Sequence, residues 1–93
     1  MYVYDSLLVR KSVQIKFGSR VRQLRLAAGL TQEDLAHRCG LFRTYMSRIE
    51  TGRANPTLTM IEALAGSLRV PMAQLFEPDT PATARGKPAL PTA

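Results

Sequence analysis

The sequence predicts an all-α fold of five short helices in one compact domain, followed by a disordered tail. Three observations predict it. Its 93 residues suffice for a single small core. Between Val13 and Phe76 the apolar residues recur at the three- and four-residue spacings of helix faces. After Glu77 bulky apolar residues nearly vanish, and four of the six prolines are found there, a composition that cannot bury enough surface to order itself.

The elements follow in order. Residues 1–12 form an N-terminal arm, in which MYVYDSLLVRK fits a short strand, a helical lead-in or a mobile segment. The domain spans residues 13–76 and the tail 77–93. The first helix runs from about Val13 to Ala28, with Phe17, Val21, Leu24 and Ala28 on one face. Lys16, Arg20 and Arg22 are expected off that face. Gly18 weakens the first turns, and Gly29 ends the helix. Thr31 caps the second helix, with Asp34 at the spacing of a capping box. Leu35 and Ala36 point inward, and Gly40 supplies the left-handed residue that ends it. The third helix, Arg43 to Thr51, turns Met46 and Ile49 inward and leaves Arg43, Thr44, Ser47 and Arg48 outside. Gly52 ends it and Asn55-Pro56 make a loop. Thr57 or Thr59 caps the fourth helix, the latter at capping-box spacing from Glu62, and Ile61, Leu64, Ala65 and Leu68 are its core face. Pro71, suited to a first helical position, opens a fifth helix that ends at Phe76.

The second and third helices, joined by a tight turn, have the geometry of helix-turn-helix DNA recognition, because the outer face of the third carries arginines and hydroxyls. The charge agrees. The chain carries +6, but Arg10 to Arg53 holds ten bases against three acids, a net of +7, whereas Ala54 to Asp79 nets −2. A positive field over the helix-turn-helix half suits a phosphate backbone; a merely basic solvated surface is the plain alternative. One cysteine, Cys39, cannot form an intramolecular disulfide and is expected to be a small packed residue. No apolar run spans a bilayer and no leader is recognised, so a cytoplasmic protein with no membrane role is expected. His37 has no second ligand at metal spacing. No nucleophile is paired with a base, so no metal, cofactor or enzymatic activity is expected.

LRLAAGLTQEDLA at 24–36, RTYMSRIETG at 43–52 and NPTL at 55–58 resemble the Cro/C1-type helix-turn-helix family, also called XRE-type or lambda-repressor-like. Within it, the chain is most similar to controller proteins of restriction–modification systems. The resemblance spans about Phe17 to Phe76 and implies a small dimeric regulator. Two positions depart from it: Phe42 and Val70 stand where small polar caps are common.

Arg43 opens the third helix, and its fork can hold O6 and N7 of a guanine. Thr44 and Ser47 are short enough to meet base edges or a thymine methyl, and Arg48 can reach a base or a phosphate. By resemblance Gln32 reaches a phosphate. Tyr45 packs on the DNA backbone or on a neighbouring helix. Arg53 and Asn55 suit phosphate contacts that set register, and Thr57 adds a backbone contact beside its capping role. The resemblance also implies a structural ion pair between Arg25 and Glu50.

The reading that follows is a homodimer on a palindromic DNA operator, its two-fold interface built from Met72, Leu75 and Phe76. Repression needs only occlusion of a promoter; activation adds RNA polymerase as a partner. An antitoxin that also binds DNA is the second reading, and an adaptor using the fold for protein contacts alone is the third.

Overall fold

The computed structural model describes the backbone of residues 6–78 and the side chains of residues 12–78. Helix α1 (Ser6–Ala27) is followed by α2 (Gln32–Cys39), α3 (Arg43–Glu50), α4 (Leu58–Leu68) and a 3-10 helix (Met72–Phe76). Residues 6–12, part of the expected arm, are therefore continuous with α1. Residues 1–5 and the expected disordered stretch 79–93 lie outside the described residues.

The expected count of five helices is corrected to four α-helices and one 3-10 helix among the described residues. Local chemistry explains the difference. Pro71 is extended (φ −64°, ψ 148°) and precedes the last helix instead of forming its first turn. Glu77 is held extended (φ −78°, ψ 144°), as a residue before proline prefers. Between these stops only five residues remain, and a short run takes the tighter 3-10 form.

The core is one cluster fed by every element. It contains Phe17 and Val21 of α1, Leu35 and Ala36 of α2, Met46 and Ile49 of α3, Leu64, Ala65 and Leu68 of α4, with Ala54 and Leu75 closing it. Leu24 and Ile61 are half-buried at its edge, while Ala28, expected on the same face, is exposed just past the end of α1. Among the described residues, no helix is long and apolar enough to cross a membrane.

The caps follow the sequence closely. The Thr31 hydroxyl accepts from the Asp34 amide at 3.0 Å, and the Asp34 carboxylate accepts from the Thr31 amide at 3.0 Å. That backbone bond holds the Asp34 carboxyl below its ordinary pKa of 3.8. The box is thus complete above the ordinary carboxylate range and is lost as pH falls through the lowered value. Gly40, at φ 71°, ends α2. Thr57 caps α4, accepting from the Met60 amide at 3.2 Å; the Thr59–Glu62 box is not formed, because α4 begins at Leu58 and Thr59 already lies within its first turn.

Two residues of α1 act differently from expectation. Gly18 marks where α1 crosses the end of α3: a Cβ there would stand 2.1 Å from the Ile49 carbonyl oxygen. Arg20 is buried, only 8% exposed. Its Nε donates to the Gln74 carbonyl at 2.8 Å, and its Nη2 pairs with Glu77 at 3.3 Å. Arg20 sits three residues after Phe17 and four before Leu24, a spacing that puts it on the apolar face. There it gives the Gln74 carbonyl, at the end of the 3-10 helix, a second and shorter hydrogen bond beside the one from the Glu77 amide at 3.4 Å.

Candidate nucleic-acid interface

Helix α3 owes its aim to both neighbours. Leu41 fills the turn after α2, its amide bonded to the Ala36 carbonyl at 2.8 Å, and packs against the core. Met46 and Ile49 anchor the inner face of α3, and Gly18 lets α1 press on its C-terminal end. What remains outside is one continuous edge: Arg43, Thr44 and Arg48 are exposed, and Ser47 is half-buried.

A chain of hydrogen bonds links this edge to the core. Arg43 Nη1 donates to Gln32 Oε1 at 3.1 Å. The Gln32 amide donates in turn to Glu50 Oε1 at 3.1 Å. Glu50 receives Arg25 through two bonds, Nε to Oε2 at 2.7 Å and Nη2 to Oε1 at 3.1 Å. Arg25 Nη1 finishes the chain on the Leu30 carbonyl at 2.7 Å. Arg25 and Glu50 are both buried, so each charge depends on the other, and the bidentate geometry is the strong form of such a pair.

Gln32 occupies the pivot. Its oxygen must face the arginine and its nitrogen the carboxylate, and one amide hydrogen is left over for an outside acceptor. The same residue stands at the start of α2, where free backbone donors favour an anion. At the far end of α3, Arg48 Nη2 donates to the Arg53 carbonyl at 3.0 Å, and the Arg53 amide returns to the Arg48 carbonyl at 2.8 Å. This clasp fixes the loop whose exposed residues include Arg53, Asn55 and Thr57. Tyr45 is half-buried, packed against the core cluster. Cys39 is half-buried, its thiol 3.4 Å from the Ser67 hydroxyl, and His37 is exposed on α2.

The residues assigned to a two-fold interface divide. Leu75 is 0% exposed, locked in its own chain's core, and offers no surface to a second chain; this corrects its assignment. It belongs to the 3-10 helix, which packs against both α1 and α4. Met72 is half-buried and Phe76 is 56% exposed. The Phe76 ring lies 5.4 Å from that of Phe17. Together with Val13 and Lys16 these two rings line an open, mostly apolar groove of about 340 Å³.

A short helix set against a capped partner, with an arginine and hydroxyl edge outward and an adjoining basic loop, defines a helix-turn-helix DNA-binding module. The sequence profile of a helix-turn-helix domain family matches residues 16–75. The chain belongs to that family, and within it to the Cro/C1-type DNA-binding transcriptional regulators resembling restriction–modification controller proteins. It is 40% identical over 67 residues to control protein C.BamHI of Bacillus amyloliquefaciens, covering 71% of this chain and 83% of that one. The crystal structure of the controller protein C.AhdI from Aeromonas hydrophila is 43% identical, covers 70% of this chain and 98% of that one, and superposes with a TM-score of 0.68. A third, C.Esp1396I, crystallised as a tetramer with its natural 35 base-pair operator, is 36% identical, with 69% and 84% coverage and a TM-score of 0.63.

Proposed function

We propose that this chain is a cytoplasmic regulator that binds a two-fold symmetric operator as a homodimer, in the manner of a restriction–modification controller. The observation that carries the reading is the exposed edge of α3, with Arg43 presented at its first turn and braced through Gln32 on a buried ion pair. Arg43, Thr44, Ser47 and Arg48 face base edges in the major groove. Gln32, Tyr45, Arg53, Asn55 and Thr57 grip the flanking backbone. The exposed ring of Phe76, at the groove beside α1, and Met72, which lines a second hollow with Leu58, Thr59 and Glu62, form the contact between subunits. The solved complex of C.Esp1396I with its operator supports an oligomer on DNA. RNA polymerase is a further partner where the site lies just upstream of a promoter.

Selection of bound duplexes from a random pool at physiological salt tests this directly. The expected outcome is a two-fold symmetric motif with half-site centres about 34–36 Å apart. Enrichment of an unsymmetric motif would remove the dimer, and no enrichment at all would remove sequence-specific binding.

A further inference from the structure

Phe42 is the most exposed of the large hydrophobic residues described, at 84%. It is the N-cap of α3 and makes no side-chain cap hydrogen bond, whereas the corresponding positions of α2 and α4 are threonines that do. The chain thus places a bulky ring where a small hydroxyl would stabilise the helix and leaves that ring in water. Its neighbour Leu41 is packed against the core; Phe42 is not. On its other side stand Arg43 and Thr44, both exposed.

The module explains where such a ring is useful. A recognition helix enters the major groove with its N-terminal end leading, so the residue ahead of Arg43 travels with it toward the bases. Of the groups displayed there, the apolar one is the 5-methyl of thymine, and phenylalanine is among the side chains that meet it. We propose that Phe42 is a specificity-determining residue that reads a thymine methyl next to the base held by Arg43. The inference rests on the DNA-binding reading above.

The test uses the full chain and the operator duplex obtained by selection. Thymines within one half-site are replaced singly by deoxyuridine, which removes only the methyl, and affinity is measured for the wild type, Phe42→Ser and Thr44→Ser. Phe42→Ser supplies the missing cap, so its melting temperature should equal or exceed that of the wild type. The expected result is one thymine whose replacement weakens the wild type about fourfold, the worth of one buried methyl. That penalty should vanish in Phe42→Ser and persist in Thr44→Ser. Three results would overturn the proposal: no methyl penalty in the wild type, an unchanged penalty in Phe42→Ser, or a penalty abolished by Thr44→Ser instead. A wild type that selects no duplex would remove the DNA-binding reading along with it, a failure separable from the other three.

Discussion

Arg43 and Glu50 stand at the two ends of α3, and each is placed against the helix dipole. A cation at the N-terminal end and a carboxylate at the C-terminal end both cost stability. The cost is offset by their partners: Gln32 accepts from Arg43, and Arg25 clasps Glu50 with two hydrogen bonds. Truncating Glu50 would leave Arg25 buried without a counter-charge and Gln32 without an acceptor. Glu50→Ala should therefore cost about 3–5 kcal/mol, read from urea unfolding, and a loss below about 1 kcal/mol would mean the pair is solvated. Arg43 is exposed, so Arg43→Ala should leave folding almost unchanged. Binding to the selected site should weaken by about 1–3 kcal/mol with relaxed discrimination at one base pair. Equal weakening on all duplexes would reassign it to the phosphate backbone.

At the scale of elements, two backbone positions carry information that side-chain patterning does not. In an ordinary helix interior, replacing glycine by alanine gains about 0.5–1 kcal/mol. At Gly18 the added methyl would strike the Ile49 carbonyl, so α1 and α3 must separate. Gly18→Ala should instead destabilise by about 1–3 kcal/mol, as overpacking does, and a more stable variant would show that the two helices are not in close contact. Arg69 ends α4 at φ 59°, a left-handed conformation that costs a non-glycine residue about 1–2 kcal/mol. Arg69→Gly should raise the melting temperature by about 4–8 °C for each kilocalorie relieved; an unchanged value would mean the arginine side chain compensates. These cases mark what the sequence makes legible. The helices, the capping box at Thr31 and the inward faces of α2, α3 and α4 are visible because spacing and cap chemistry are local. Gly18 reads as a weak helix position, Arg20 as a surface base and Leu75 as an interface residue. In each case the deciding partner, Ile49, Gln74 or the assembled core, is remote in sequence. The Arg43–Gln32–Glu50–Arg25 chain was half legible: the ion pair followed from resemblance, but Gln32's place between the two arginines emerges only when α2 and α3 are packed.

For the whole molecule the decisive property is where the charge lies. Residues 10–53 carry a net of +7, while residues 54–79 carry −2. The helix-turn-helix half therefore carries the positive charge that suits a phosphate backbone, and in the reading proposed above the groove between α1 and the 3-10 helix meets the second subunit. Affinity for any duplex should then fall steeply with salt, because each phosphate neutralised releases counterions, with a slope in log K against log salt of about −0.9 per contact. Arg53 is exposed in the loop clasped by Arg48, outside the α3 edge, and the phosphate contact proposed for it would belong to this sequence-independent part. Arg53→Ala should weaken the selected and a scrambled duplex alike, leaving their ratio intact. A homodimer loses one contact from each subunit, so its slope should flatten by nearly two units, whereas a single bound chain would lose nearly one. An unchanged slope would take Arg53 off the backbone. A changed ratio between the two duplexes would move it among the residues that read bases, and would extend the recognition surface from α3 into the loop.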